Sequence, residues 1–208
     1  MLPKIFVIGF NKCGTTSLHK MFKRAGLTSS HYRHHGADGL GVIIGAQIDH
    51  NAAAGLPLLD GIDSADAYSD MDMCDKRSYL SGIGQFRQLD RQYPGSRFIL
   101  NTRDPYSWLN SRCRHFNGGY LRRAMAQAGV RDVQTMREIW LHDWHAHHAA
   151  LQVHFATRSD QFLIFDIEQD DPRKLCAFLP EYGLKPGQWR HHNRTPEEYR
   201  LPDLALAC

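Results

Sequence analysis

Residues 4–18 read KIFVIGFNKCGTTSL, an apolar run followed by glycines, a lysine and hydroxyl side chains. Residues 5–8 contain no polar position, which predicts a strand buried on both faces of a parallel sheet. Residues 15–25 repeat apolar side chains at helical spacing, and Gly26 predicts the end of that helix. The stretch therefore predicts a strand, a glycine loop and a helix in direct succession.

Strands and helices continue to alternate along the rest of the chain. Further strands are predicted at residues 65–69, 97–102 and 162–167. Further helices are predicted around residues 42–48, at 84–93, from Pro105 onward, at 133–155 and at 172–179. This alternation predicts an α/β fold, a three-layer sandwich with a mainly parallel central sheet and a P-loop-like strand–loop–helix. Because no repeat or low-complexity linker interrupts the sequence, we expect a single domain over residues 1–208.

Composition narrows the possible function classes. The formal net charge of +3 is too small for a dedicated nucleic-acid binder, and no run of apolar residues is long enough to span a membrane. The five cysteines are scattered without a C-x-x-C pair, which argues against a zinc site or a redox pair. The chain starts directly with a strand-like run rather than a signal peptide. We therefore expect a cytoplasmic protein with reduced cysteines and no membrane or nucleic-acid partner.

The glycine loop has the spacing of a P-loop, but its lysine is displaced. In the pattern G-x-x-x-x-G-K-[ST], the lysine follows the second glycine and reaches the β and γ phosphates. Here Gly9 and Gly14 keep the spacing, whereas Thr15 occupies the lysine position. Lys12 is the only lysine of the loop, and the amides of residues 12–17 still predict a phosphate site at the start of a helix. A metal-free anion therefore fits this loop better than a triphosphate with magnesium.

Residues 11–18, NKCGTTSL, resemble the 5′-phosphosulfate loop of sulfotransferases that use 3′-phosphoadenylyl sulfate (PAPS), commonly written K-x-G-T-T-[SA]-L. The resemblance implies that Lys12 contacts the bridge between phosphate and sulfate. It also implies that the rest of the loop binds the 5′-phosphate through amides and hydroxyl groups, namely Cys13, Gly14, Thr15, Thr16 and Ser17. The implied cofactor is PAPS, which leaves as PAP, and no metal ion is required.

Residues 98–111, FILNTRDPYSWLNS, resemble the 3′-phosphate element of the same family. In that element an arginine after a buried strand is followed eight residues later by a serine on the next helix, which matches Arg103 and Ser111. A guanidinium at the carboxyl end of a parallel strand suits bidentate phosphate contact. Alone, Arg103 beside Asp104 would fit a local ion pair at a helix start, but the first loop favours the phosphate role. A basic late segment closes over the nucleotide in the family, which makes Arg194 a further candidate.

The general base is less clearly indicated. In the family it is a histidine or a carboxylate, often at the end of a strand that precedes the 3′-phosphate strand, where this chain has DAYSDMDMCD at residues 66–75. Asp70 is the first candidate and Asp72 the second, although either acid could instead cap a helix or face solvent. Three histidines after the first helix are also candidates, and for each a solvated loop position is favoured: His31, His34 and His35.

Other polar clusters have simpler interpretations. The histidines between residues 142 and 154 lack metal-binding spacing, and His148 lies in an apolar helical stripe, which predicts a hydrogen-bonded core residue. Trp108 is expected to pack in the core. The arginines at positions 112, 114, 122 and 123 form either a solvated face or a surface that attracts a sulfated or carboxylated acceptor.

The leading hypothesis is sulfuryl transfer from PAPS to a hydroxyl or amine acceptor, by in-line displacement with a general base. One alternative is a P-loop kinase or NTPase with a degenerate loop, which predicts magnesium-dependent binding of ATP. Another is a non-catalytic nucleotide-binding module, which predicts PAP binding without turnover. The sequence does not specify the acceptor, which could be a carbohydrate, a lipid, a peptide tyrosine or a small metabolite, nor does it specify the oligomeric state.

Overall fold

A computed structural model describes residues 2–36 and 39–192. The strands in this part of the chain are β1 (Ile5–Val7), β2 (Ser29–His31), β3 (Arg33–His35), β4 (Gly41–Ile43), β5 (Ala67–Ser69), β6 (Asp72–Cys74), β7 (Tyr79–Ser81), β8 (Arg97–Thr102) and β9 (Phe162–Asp166). The α-helices are α1 (Thr15–Arg24), α2 (Ile44–Ala53), α3 (Phe86–Gln92), α4 (Pro105–Arg114), α5 (Gly119–Ala128), α6 (Val133–His154) and α7 (Arg173–Phe178). None of these helices is both long enough and apolar enough to cross a membrane.

Seven strands form the central sheet in the order β4-β3-β2-β5-β1-β8-β9. The five strands from β2 to β9 in this order run parallel, whereas β3 and β4 are added antiparallel at one edge. Ile5 pairs with Ala67 on one side and with Arg97 on the other, so β1 is the middle strand of the parallel part. Strands β6 and β7 form a separate hairpin.

Side chains of residues 5–8 alternate between two hydrophobic cores. Phe6 and Ile8 pack on the face covered by α2 to α6, whereas Ile5 and Val7 pack on the face covered by α1 and α7. All four side chains are fully buried, which is why this segment contains no polar position. The mainly parallel sheet between two helical layers confirms the predicted three-layer α/β sandwich.

The shortest elements differ from the predictions. The helix predicted around residues 42–48 was wrong at its start, because Val42 and Ile43 belong to β4 and the helix begins at Ile44. Strands β2 and β3 and the β6–β7 hairpin were not predicted, since three-residue strands are too short to show alternation of polar and apolar side chains. Helix α5 was also missed.

Candidate active site

The loops that follow the parallel strands surround one large cleft. Ligands of α/β proteins bind at this carboxyl edge of the sheet. The cleft has a volume of about 1190 Å³, and residues that follow β1, β5, β8 and β9 line it. The predicted site residues that line it are Lys12, Gly14, Thr15, Thr16, Ser17, Asp70, Asp72, Arg103 and Ser111. Segments that lie almost a hundred residues apart in the sequence therefore meet at one site.

Asn101 of β8 holds the glycine loop at both ends. Its side-chain Oδ1 accepts a hydrogen bond of 2.8 Å from the amide of Gly9, and its Nδ2 donates one of 2.8 Å to the carbonyl of Cys13. A Cβ atom on Gly9 would lie 2.0 Å from the Asn101 carbonyl oxygen, so only glycine fits at this position. The fully buried Asn101 thus fixes the path of the loop between β1 and α1.

Two further side chains turn the loop amides toward the cleft. Trp108 Nε1 donates to the carbonyl of Asn11 at 3.0 Å, and Arg103 donates to the carbonyl of Lys12 at 3.4 Å. Because the carbonyl and the following amide of a trans peptide point in opposite directions, the amides of Lys12 and Cys13 point away from these donors. Among the described residues no side chain caps α1, and Ser17 already donates to the Gly14 carbonyl, so the amides of Thr15 and Thr16 are available to an anion.

Unusual backbone conformations are concentrated around the cleft. Five described non-glycine residues have positive φ, and four of them line the cleft. These four are Lys12 (φ 69°), Tyr32 (φ 59°), Asp70 (φ 53°) and Phe116 (φ 52°). A left-handed conformation is costly for residues with a Cβ atom and is found most often at functional sites. The strain marks the glycine loop and the end of β5 as candidates for such a site.

Asp70 and Lys12 influence each other across the cleft. Burial raises the pKa of Asp70 to about 7, with a further contribution from the neighbouring Asp72 carboxylate. Burial lowers the pKa of Lys12, although the Asp70 carboxylate opposes this shift. An acid with a pKa near neutrality is able to exchange a proton at physiological pH, which is the property required of a general base.

His31 at the end of β2 lies beside Asp70. Its Nδ1 is 3.1 Å from Ser69 Oγ, and its Nε2 is 3.3 Å from Thr16 Oγ1. Burial, together with the stacked ring of His19, lowers the pKa of His31 to about 4. The imidazole is therefore neutral at physiological pH, and hydrogen bonds on both ring nitrogens hold its orientation.

Asp72 has a structural role in the hairpin β6–β7. Its carboxylate accepts hydrogen bonds from Tyr79 Oη at 2.7 Å, Ser81 Oγ at 3.2 Å and the amide of Ile83 at 3.2 Å. Burial raises the pKa of this carboxyl, and these bonds oppose that shift. Because three donors already occupy its oxygens, Asp72 is a weaker candidate for the base than Asp70.

Arg103 and Ser111 both line the cleft. Arg103 forms an ion pair with Glu168, which follows β9, while Asp104 caps α4 by accepting a hydrogen bond from the amide of Ser107. The local pair between Arg103 and Asp104 is thus not formed. The buried Nε of Arg103 has no hydrogen-bond partner among the described residues, and Ser111 is largely buried. The guanidinium thus retains capacity to bind an anion.

A model of the family described as the sulfotransferase domain matches residues 4–140, which is more than half of the chain. The chain belongs to the sulfotransferase domain family. Among curated proteins, no match to the chain was found. The matched part of the sulfotransferase domain contains the glycine loop, Asp70, Arg103 and Ser111, whereas Glu168 lies beyond it.

Some predicted residues of this sulfotransferase domain lie elsewhere. The loop positions expected for His31, His34 and His35 were wrong, because all three belong to strands, although His35 is exposed to solvent as expected. His34 is buried in β3 between Ser30 Oγ at 2.9 Å and Ser64 Oγ at 3.1 Å, and it does not line the cleft. The Cys13 side chain is buried in the core, so only its backbone faces the loop. Arg194 lies outside the described residues.

The arginine cluster was only partly interpreted correctly. Arg112 is not on a solvated face, because its guanidinium is buried among four aromatic rings and donates to Tyr120 Oη at 2.9 Å. Arg114 and Arg123 line the cleft. The core position of Trp108 is confirmed. His148 is hydrogen-bonded at both ring nitrogens as predicted, but it is only half-buried rather than in the core.

Several cleft residues were missed in the sequence, among them Glu168 and His115. Glu168 follows β9 by two residues, so the rule that ligands bind at the carboxyl ends of parallel strands could have indicated it. His115 lies directly after α4, and its position depends on the missed helix α5. Within the described part of the chain, no group of three histidine, cysteine or acidic side chains could hold a metal ion.

Proposed function

We propose that this sulfotransferase domain transfers the sulfuryl group of PAPS to a hydroxyl or amine group of an acceptor. The observation that best supports this function is the convergence of three parts on one cleft. These parts are an uncapped helix start with a displaced lysine, a guanidinium with a buried unpartnered nitrogen, and a carboxyl group with a pKa of about 7.

The residues present fit the two phosphates of PAPS. The amides of residues 12–16 and the hydroxyls of Thr15, Thr16 and Ser17 would hold the 5′-phosphate, because Lys12 and residues 14–17 line the cleft at the start of α1. Arg103 and Ser111 would hold the 3′-phosphate, and the unpartnered Nε of Arg103 supports this role. When bound, PAPS supplies the activated sulfuryl group.

The chain's own residues would supply charge stabilisation and proton transfer. The ammonium group of Lys12 lies in a partly buried position, where a positive charge stabilises a developing negative charge more strongly than it would in water. Asp70 would accept the proton of the acceptor hydroxyl at its carboxylate. The neutral imidazole of His31 would keep the end of β5 and the start of α1 in place, because its Nδ1 contacts Ser69, the residue before Asp70, and its Nε2 contacts Thr16.

We also propose that the whole chain serves this function as one domain in the cytoplasm. Strand β9 lies beyond the matched family segment, yet it pairs with β8 along its length and leads to Ile167 and Glu168 in the cleft.

The cysteines support the proposed cytoplasmic location. Four described cysteines are free thiols, which a reducing compartment preserves: Cys13, Cys74, Cys113 and Cys176.

The test is a calorimetric titration of the purified protein with PAP, and separately with ATP and magnesium. We expect PAP to bind with a dissociation constant in the micromolar range or below without metal, and ATP to bind at least tenfold more weakly. Binding of magnesium–ATP without binding of PAP would replace this function with that of a kinase. Tight PAP binding without sulfate transfer to any of a broad set of hydroxyl acceptors would indicate a non-catalytic nucleotide-binding module.

A further inference from the structure

A wall of the cleft outside the proposed PAPS-binding residues is formed by α5 and the loop before it. We define this acceptor wall by His115, Phe116, Tyr120 and Arg123, all of which line the cleft. None of these four residues has been given a role in binding PAPS or in proton transfer. They are therefore available to bind an acceptor in the cleft.

The loop of the acceptor wall has a strained backbone that presents an aromatic ring. Phe116, Asn117 and Gly118 have φ values of 52°, 52° and 77°, three left-handed residues in succession. A left-handed conformation is unusual for phenylalanine, and the side chain remains 67% exposed. The Phe116 ring stacks on the imidazole of His115 at a centroid distance of 4.0 Å. An exposed apolar ring in a costly conformation at the cleft indicates a binding surface.

Arg123 places a positive charge on this aromatic surface. Its guanidinium lies 5.6 Å from the ring centre of Phe116 and 5.8 Å from that of Tyr120. No carboxylate among the described residues lies within ion-pair distance of Arg123, so its charge is not neutralised locally. A guanidinium that is fixed by aromatic rings is well suited to bind a carboxylate with two hydrogen bonds.

The charge balance of the cleft also favours an anionic ligand at this wall. Of the acidic side chains that line the described cleft, Glu168 pairs with Arg103, and Asp72 is bonded within its hairpin. Asp70 is the proposed base, with a pKa of about 7. Burial, together with the positive charges of Lys12 and Arg123, lowers the pKa of His115 to about 4. The acceptor wall lines the same cleft as Lys12 and Asp70 of the proposed reaction centre.

We propose, on the basis of the sulfuryl-transfer function above, that the acceptor is a small hydroxylated carboxylic acid with a flat apolar body. Arg123 binds its carboxylate, and the exposed face of Phe116 packs against its apolar body. The acceptor hydroxyl then lies toward Asp70 and Lys12. Arg123, Lys12 and Asp70 line the same cleft, so an acceptor bound by Arg123 lies in the cleft that contains the proposed reaction centre.

The test compares two probes of nearly equal shape, 4-hydroxyphenylacetate and its neutral amide, on the protein saturated with PAP. Dissociation constants are measured by ligand-observed NMR. We expect the acid to bind at least tenfold more tightly than the amide. In Arg123→Gln this preference should disappear, whereas in Arg123→Lys, which keeps the charge, part of it should remain. Arg131→Gln removes the same charge from an exposed position that does not line the cleft, and it should retain the full preference.

Equal binding of acid and amide, binding of neither, or an unchanged preference in Arg123→Gln would overturn the proposal. Failure of the proposed function has a separate readout, because each protein is first titrated with PAP. If PAP does not bind, the acid and the amide are compared on the protein alone. The effect of Arg123 on the preference for the acid over the amide is then measured independently of nucleotide binding.

Discussion

The Nε2 atom of His31 lies 3.8 Å from Oδ2 of Asp70. The sheet brings the two residues together, because β2 pairs in parallel with β5 and His31 is in register with Ser69, the residue before Asp70. The two side chains titrate in different ranges, since the pKa of His31 is lowered to about 4 and that of Asp70 is raised to about 7. A neutral imidazole thus lies beside a carboxyl group that loses its proton near neutrality.

This difference predicts which residue acts as the base. If Asp70 accepts the acceptor's proton, kcat should fall about tenfold per pH unit below pH 7 and level off above it. Asp70→Asn should lower kcat by roughly 10²- to 10⁴-fold while PAP binding changes little. His31→Gln should keep the midpoint near pH 7. A midpoint near pH 4 in the pH dependence of kcat for the unmodified protein would instead assign the role to His31.

The same pKa shift predicts how stability depends on pH. Because folding raises the pKa of Asp70 from 3.8 to about 7, the folded state binds more protons between these values. The stabilising contribution of Asp70 is fully present below pH 3.8 and is lost as the pH rises from there through 7. Asp70→Asn should remove this loss and raise the free energy of unfolding at pH 8 by on the order of 4 kcal/mol, because each pKa unit corresponds to about 1.4 kcal/mol. Urea unfolding at pH 5 and pH 8 measures the effect, and a variant that is less stable than the original at pH 8 would contradict it.

Removal of the displaced lysine should separate catalysis from folding. Lys12 has a φ of 69°, and alanine meets the same backbone cost there as lysine, so Lys12→Ala should fold normally. The initial rate of transfer should fall by roughly 10²- to 10³-fold, because the positive charge at the proposed leaving group is lost. Lys23→Ala, at an exposed position on α1, is the matched control and should keep full activity. Normal turnover by Lys12→Ala would refute the proposed role of this lysine.

The pair of Arg103 and Glu168 predicts opposite effects of two substitutions on nucleotide binding. Arg103→Ala should weaken PAP by about 30- to 100-fold and 5′-AMP by no more than about threefold, since only PAP has a 3′-phosphate. Glu168→Gln removes a carboxylate that competes for the same guanidinium, so it should tighten PAP about threefold and leave 5′-AMP unchanged. Calorimetric titration of both nucleotides gives these values. Equal losses for PAP and 5′-AMP in Arg103→Ala would show that the arginine does not contact the 3′-phosphate.

Local patterns were sufficient to predict the glycine loop and the residues that surround it. The apolar run at residues 5–8 is buried on both faces, and the polar residues that follow it lie where any strand–loop–helix would place them. Arg103 was predictable for the same reason, because it directly follows the long apolar strand β8. In both cases the prediction depends only on residues that are close together in the sequence, an apolar strand and the polar residues directly after it.

The partners of these residues depend on the order of strands in the sheet, which the sequence does not display. His31 lies beside Asp70 only because β2 is next to β5, and Glu168 reaches Arg103 only because β9 is next to β8. The choice between Asp70 and Asp72 was likewise open in the sequence. It depends on the left-handed backbone at Asp70 and on the hairpin that binds Asp72, and both arise from tertiary contacts.

The close approach of Gly9 to Asn101 gives the sharpest test of the loop itself. In Gly9→Ala the added Cβ would lie 2.0 Å from a backbone oxygen of β8, which cannot move without disrupting the sheet. We expect the free energy of unfolding to fall by at least ~3 kcal/mol, and PAP binding to be lost even where the protein remains folded. Gly187→Ala is the control, because its Cβ would meet no atom within 4 Å, and it should change stability by less than about 0.5 kcal/mol. Equal stability of the two variants in urea unfolding would mean that the contact with Asn101 does not constrain the loop.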